Sequence, residues 1–164
     1  MILQFEDLKN IRIEFNNHKI VFFDGVFDLF HIGHLSVLES VSKMGDIVMI
    51  GVMSDEWVKE KKGEMRPIMN QNERAAIIDA LRFVTYTLIL ANCTQRIKTS
   101  EVLMELKPDI FFTHDEVWKN KFQELNISET QLVLAKREIP AIVSNVTPIS
   151  TSALIEKIKR NNCD

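Results

Sequence analysis

Asp24-Gly25-Val26-Phe27-Asp28-Leu29-Phe30-His31-Ile32-Gly33-His34 is the stretch on which the reading of this chain turns. It follows Ile20-Val21-Phe22-Phe23, an apolar run of the kind that forms a strand buried on both faces. It leads into Leu35, Leu38 and Val41, spaced as one face of a helix. A strand, a glycine-bearing turn and a helix start would set His31 and His34 about one turn apart on the same side. Helix N-terminal amides favour anions at such a place. Gly33 removes a Cβ from between the two imidazoles, and Gly25 does the same at the turn. The segment therefore suits the phosphates of a nucleotide. Asp28 has the wrong sign for phosphate and is expected to organise the loop.

The rest of the chain repeats this alternation. Apolar runs predict strands over 20–23, 46–53, 84–90 and 109–113, with weaker strand patterns over 131–134 and 141–144. Helical periodicity predicts helices over 35–44, 73–83, 94–106, 117–125 and 150–159, the last with Ser150 as N-cap. The helix over 94–106 stops before Pro108. Strands alternating with helices imply right-handed crossovers and a mainly parallel sheet. The expected fold class is α/β, Rossmann-like and doubly wound, with helices on both faces. Ligands of such sheets bind beyond the carboxyl ends of the strands, which is where the histidine segment begins.

Bulk properties narrow the function classes. The 164 residues fit one nucleotidyltransferase-sized domain, with 1–18 as a lead-in and 149–164 as a closing helix. The hydrophobic fraction of 46%, the charged fraction of 26% and a net charge of −3 are those of an ordinary globular protein without a nucleic-acid footprint. No apolar run approaches the roughly 20 residues of a membrane span, and residues 1–7 carry no signal-peptide pattern. Two cysteines, Cys93 and Cys163, form neither a disulfide framework nor a zinc spacing. A cytoplasmic location is expected.

Nucleotidyl transfer needs positioning and charge stabilisation more than a strong base, because the attacking phosphate is already ionised. Imidazole N–H groups, lysines and helix-start amides meet that need. Two other readings of the histidines remain open here: structural packing at a helix start, and zinc ligation with Asp28. No further Cys/His cluster supports the second.

Gly25-Val26-Phe27-Asp28-Leu29-Phe30-His31-Ile32-Gly33-His34 resembles the G-x-F-D-x-x-H-x-G-H motif of the cytidylyltransferase-like family. That family includes glycerol-3-phosphate, phosphocholine and phosphoethanolamine cytidylyltransferases and the adenylyltransferase domain that makes ADP-heptose. Lys61-Lys62-Gly63 followed by Arg66-Pro67-Ile68 resembles the heptose adenylyltransferases in particular, as does the Phe5-Glu6-Asp7-Leu8-Lys9 lead-in. Asn70-Gln71-Asn72-Glu73-Arg74 with Leu81-Arg82-Phe83-Val84, and Ile149-Ser150-Thr151-Ser152, are similar to further family segments. Phe112-Thr113-His114-Asp115 through Trp118 and Lys121-Phe122 resembles, more loosely, a segment of the glycerol-3-phosphate enzymes.

The resemblance implies catalytic roles for His31, His34 and Lys62. It implies nucleotide contacts from Gly25, Val26, Phe27, Gly33, Arg82, Asp115, Ile149, Ser150, Thr151 and Ser152. Asp28, Lys61, Arg74 and Trp118 are the expected acceptor-side residues. Lys61 and Lys62 are expected on a loop, and Arg74 and Arg82 on one face of one helix. The implied reaction moves CMP from CTP to a small phosphorylated acceptor and releases pyrophosphate, with ATP and a heptose-phosphate-like acceptor as the alternative. Mg²⁺ accompanies the triphosphate, no resident metal is implied, and a homodimer is. Two departures stand out: Asn145-Val146-Thr147-Pro148 replaces an arginine-bearing segment, and Thr85 replaces an aspartate. They motivate a further alternative, a nucleotide-binding module without turnover.

Overall fold

The computed structural model describes residues 1–91, 96–135 and 150–161. Fourteen segments follow in chain order. They are β1 (Ile2–Leu3), a 3-10 turn (Phe5–Asp7), α1 (Leu8–Glu14), β2 (Ile20–Gly25), α2 (Ile32–Val41), β3 (Ile47–Met53) and α3 (Asp55–Lys62). Then come α4 (Gln71–Asp79), β4 (Tyr86–Leu90), α5 (Thr99–Leu106), β5 (Ile110–Thr113), α6 (Trp118–Glu124), β6 (Gln131–Leu134) and α7 (Thr151–Asn161). The strands form one six-stranded sheet in the order β1-β4-β3-β2-β5-β6, and every pairing is parallel. This is the α/β, doubly wound architecture that the alternation predicts.

Alternation along β2 explains why its run is apolar throughout. Val21 and Phe23 enter one core with Leu38 and Val41 of α2 and Ala75 and Ile78 of α4. Ile20 and Phe22 enter a second core with Leu8 and Ile11 of α1, Val102, Leu103 and Leu106 of α5, and Trp118. Successive side chains point to opposite faces, and helices cover both. No helix among the described residues is long and apolar enough to cross a membrane.

The lower rim of the sheet is tied by carboxylates. Asp109 Oδ2 accepts from the Ile20 amide at 2.7 Å and from Arg12 at 2.9 Å. Asp46 Oδ2 accepts from the Lys19 amide at 2.9 Å, and the Lys19 carbonyl accepts from the Asp46 and Ile47 amides. These bonds hold β2 in register between β3 and β5.

Several boundaries differ from the sequence reading for local reasons. The helix expected over 35–44 begins three residues earlier, because His31 caps it, and ends at Val41. The one expected over 73–83 is Gln71–Asp79, opened by a capping box between Asn70 and Glu73. Segment 55–62, read as a loop, is a helix capped by Ser54, whose Oγ accepts from the Trp57 amide. The lead-in is not passive: β1 pairs with β4, and α1 packs on the sheet. The helix over 94–106 is seen from Thr99, since 94 and 95 lie outside the described residues. The 141–144 strand, Ile149, Cys93 and Cys163 also lie outside them.

Gly45 sits where the chain turns under the sheet. A Cβ there would stand 2.6 Å from the Lys19 carbonyl oxygen, which is already held by two amides. Gly45→Ala is expected to lower stability by about 1–3 kcal/mol, since backbone rather than a flexible side chain must move. Urea unfolding of the two proteins measures it.

Candidate active site

The chain builds outward from β2 to β3 and β4 on one side, and to β5 and β6 on the other. The switch point is therefore the pair β2/β5, and a crevice opens beyond their carboxyl ends. A cavity of about 440 Å³ lies there. Its wall includes Asp24 through Asp28, His34, Lys62, Thr113 to Asp115, Trp118 and Thr151.

The loop after β2 is held in an uncommon shape. Phe27 and Leu29 have φ of 55° and 47°, in the left-handed region that non-glycine residues seldom enter. Two buried charged side chains hold it there. Asp28, 1% exposed, accepts from Arg66 Nε at 3.0 Å and from the Ile68 and Met69 amides at 3.0–3.1 Å. Arg74, 0% exposed, donates to the carbonyls of Val26 (2.6 Å), Met53 (2.8 Å) and Met69 (3.0 Å), and to Asp55. The expectation that Arg74 meets substrate is corrected here. Its guanidinium lies beneath the loop and ties the ends of β2 and β3 to the segment before α4. Asp28 organises the loop, as its sign suggested, and its carbonyl accepts from Thr151 Oγ1 at 2.7 Å. That bond docks the start of α7 onto the loop.

His31 caps α2, and its Nδ1 accepts from the Gly33 amide at 3.1 Å. An accepting Nδ1 places the proton of the neutral ring on Nε2. The Gly33 amide is thus engaged with His31, and the residue is buried. His34 stacks on His31 with ring centroids 3.8 Å apart and planes 20° from parallel. Phe27 and Phe30 flank it at 5.6 and 5.7 Å. His34 Nδ1 is buried with no hydrogen-bond partner. Burial, then the nearby His31 and Lys62 charges, push the His34 pKa down to about 3, and burial lowers that of His31. Both rings are neutral at pH 7, and they gain a reason to charge only when an anion arrives.

Lys62 is the last residue of α3 and reaches the cavity wall. Lys61 points elsewhere, pairing with Glu60 at 2.9 Å and lining a neighbouring cavity. Asp115 is exposed on the main wall, where its Oδ1 accepts from the Val117 amide. Trp118, 7% exposed, packs edge-on against Phe111 at 4.9 Å while touching both cavities. Arg82 is exposed beyond the end of α4, away from the cavity wall and off the helix expected to carry it beside Arg74. Ser150 caps α7 by accepting from the Ala153 amide at 3.2 Å, and neither it nor Ser152 lines the cavity. Among the described residues no group of three or more His, Cys, Asp and Glu could hold a metal ion. Asp28 in particular is turned away from both histidines by its amide partners.

The residue that sequence reasoning missed is Asp24. It lines the cavity at the end of β2, accepts from Thr99 Oγ1, and burial raises its pKa to about 6. Its signal was a carboxylate ending an apolar run. His114 was quoted without a role. Its Nδ1 pairs with the Ala135 carbonyl, and its ring sits edge-on to Phe23 and Phe112.

A parallel α/β sheet with a cationic, histidine-lined crevice at its switch point defines a nucleotide-binding domain of the nucleotidyltransferase type. Comparison with known proteins agrees. A family model described as cytidylyltransferase-like matches residues 22–157. The chain is 34% identical over 159 residues to the bifunctional protein HldE of Helicobacter acinonychis (strain Sheeba), covering 97% of this chain and 31% of that protein. It is 39% identical over 100 residues to the HldE of Campylobacter fetus subsp. fetus (strain 82-40), covering 61% and 21%. It therefore spans about a third of the length of the curated relatives it matches most fully. Among solved structures, a lipopolysaccharide core biosynthesis protein from Thermoplasma volcanium GSS1 superposes with a TM-score of 0.60 at 26% identity, over 73% of this chain and 98% of that one. A pantoate-beta-alanine ligase from Francisella tularensis shares the fold, with a TM-score of 0.59 at 14% identity over 83% of this chain and 66% of that one. This chain belongs to the cytidylyltransferase-like family.

Two outcomes follow from the buried charges. Arg74→Met strands three carbonyls and Asp55 in the interior, so it is expected to cost about 3–5 kcal/mol in urea unfolding. Asp24 has a folded pKa of about 6 against an ordinary 3.8, so its contribution is complete below pH 3.8 and is lost as pH rises through 6. Asp24→Asn keeps an acceptor for Thr99. It is expected to be more stable than the parent at pH 8, by up to about 3 kcal/mol, and no more stable below pH 4. Thermal unfolding across that range tests the sign.

Proposed function

We propose that this chain transfers a nucleotidyl group from a nucleoside triphosphate to a phosphorylated, sugar-type acceptor. An acceptor phosphate oxygen forms a bond to the α-phosphorus. The bond from that phosphorus to the bridging oxygen breaks, and pyrophosphate leaves with the electron pair. The observation that carries the reading is the neutral imidazole pair, stacked at 3.8 Å at the head of α2 beside Lys62.

Each part has a physical task. His31 Nε2–H and the His34 ring donate to phosphate oxygens as charge grows on them, and Lys62 adds a full positive charge at the same wall. The clamped loop keeps these donors fixed, so little reorganisation accompanies the reaction. Mg²⁺ belongs to this proposal as an ion carried by the triphosphate. It usually retains waters and takes few protein ligands, and Asp115, the exposed carboxylate on the wall, suits it through those waters. When bound, Mg²⁺ neutralises phosphate charge.

ATP is proposed over the CTP that the histidine motif alone favours. The support comes from two sources. The relatives that span this chain most fully are HldE proteins, and Lys62-Gly63 with Arg66-Pro67-Ile68 resembles the heptose adenylyltransferases. The solved relative is titled a lipopolysaccharide core biosynthesis protein, which suits a heptose-phosphate-like acceptor.

Turnover with ATP and CTP across heptose and hexose phosphates, followed by pyrophosphate release, tests this. ATP is expected to exceed CTP in kcat/KM. Nucleotide binding with no pyrophosphate release from any pair would point to a binding module instead. His34→Ala is expected to lower kcat about a hundred-fold or more, the effect of losing one transition-state donor. An unchanged kcat would take His34 out of the reaction.

A further inference from the structure

A second cavity of about 270 Å³ opens beside the first. Met53, Trp57, Thr99, Trp118 and Lys121 line both, so the two share a wall and form one bent groove. Their chemistry differs. His34, Thr151 and the loop over 25–28 line only the first cavity. Lys61, Arg96 and Lys98 line only the second, and Lys121 stands at the junction. One carboxylate faces this set: Glu60, whose two oxygens take Lys61 at 2.9 Å and Arg96 at 2.7 Å. That bridge ties the end of α3 to the segment before α5. It leaves a surplus of positive charge around a cavity whose remaining wall is apolar or hydroxylic: Leu90, Ile97, Thr99 and Ser100.

A surplus of this kind has no use for a neutral base, and an uncharged sugar ring has no use for it either. It matches a phosphate or carboxylate. The triphosphate-suited groups are on the far wall of the first cavity, so the molecule that reaches the second is the other reactant. We infer that the second cavity receives a second anionic group of the acceptor, at the end remote from the phosphate that attacks. The acceptor class is then a sugar or polyol carrying two anionic groups, a bisphosphate or a phosphorylated acid, rather than a simple monophosphate. This rests on the reading that the first cavity seats a phosphorylated acceptor beside the nucleotide.

Isothermal titration with glucose 1-phosphate and glucose 1,6-bisphosphate, on protein loaded with a non-hydrolysable ATP analogue, tests it. The bisphosphate is expected to bind at least ten-fold more tightly. That advantage is expected to shrink between 50 and 500 mM salt and to vanish in Arg96→Glu/Lys98→Glu. Affinities for the monophosphate and the nucleotide should stay unchanged. Arg96→Gln/Lys98→Gln provides the same comparison if charge reversal disturbs folding. Equal affinities in the parent protein overturn the inference, as does an advantage that survives both variants. Weaker nucleotide binding in the variants, with the advantage intact, reassigns the cavity to the triphosphate tail and also overturns it. Pyrophosphate release with a monophosphate acceptor and no gain from the bisphosphate leaves the transferase reading standing and removes this one alone. No affinity for either sugar phosphate overturns it too.

Discussion

A single buried guanidinium holds the candidate site in shape. Arg74 is enclosed on all sides, and such a charge persists only if its hydrogen bonds replace water. It meets that condition by gathering carbonyls from three separate segments: the loop after β2, the end of β3 and the turn before α4. Asp28 does the complementary work with opposite sign, collecting amides from residues 68 and 69 and the Arg66 side chain. The loop between them contains two non-glycine residues in left-handed conformation, a cost of order 1–3 kcal/mol each that only such over-determination sustains. The strain positions His31 as the cap of α2 and turns Phe27 and Phe30 onto His34.

That arrangement has an electrostatic consequence. Two stacked imidazoles beside a lysine cannot both carry protons without an anion, so the unliganded site is neutral at its centre and positive at its rim. An incoming polyphosphate reverses the balance. Each negative oxygen relieves the repulsion that kept the rings neutral, so protonation and anion binding favour each other. Asp24, a few residues before the imidazoles in the chain, is pushed the opposite way by burial. The crevice thus contains an acid and a base whose ordinary charges are both suppressed, and ligand binding decides which returns.

How much of this could be read from residues alone follows from the range of the forces involved. The order of strands and helices was legible because apolar periodicity is local, and β2 with its two cores shows the pattern directly. The histidine segment was legible because its spacing is fixed by one helix turn. Asp28 was legible by sign. Arg74 was not: eight residues from Arg82, it looked like one of a pair on a solvated face. Only the crossing of β2, β3 and the segment before α4 turns it inward. Segment 55–62 has weak apolar periodicity, and its helix announces itself mainly through Ser54 and the acidic pair Asp55 and Glu56 in the first turn. Asp24 and Thr99 are 75 residues apart, a distance that no local pattern spans.

The division between near and far information also bears on specificity. The phosphate-facing wall comes almost entirely from one contiguous segment, Asp24 to His34, joined by Lys62 and Thr151. Such a wall can be preserved as a unit, and the match of the family model across residues 22–157 begins with it. The opposite wall is assembled from the ends of β3, α3, α5 and α6, each contributing one or two side chains. Substitutions at Trp57, Thr99, Trp118 or Lys121 alter one contact without disturbing the loop that Arg74 and Asp28 secure. Discrimination between acceptors can therefore change independently of the groups that face the triphosphate, since the strained, over-determined half of the crevice and its adaptable half are built from different parts of the chain.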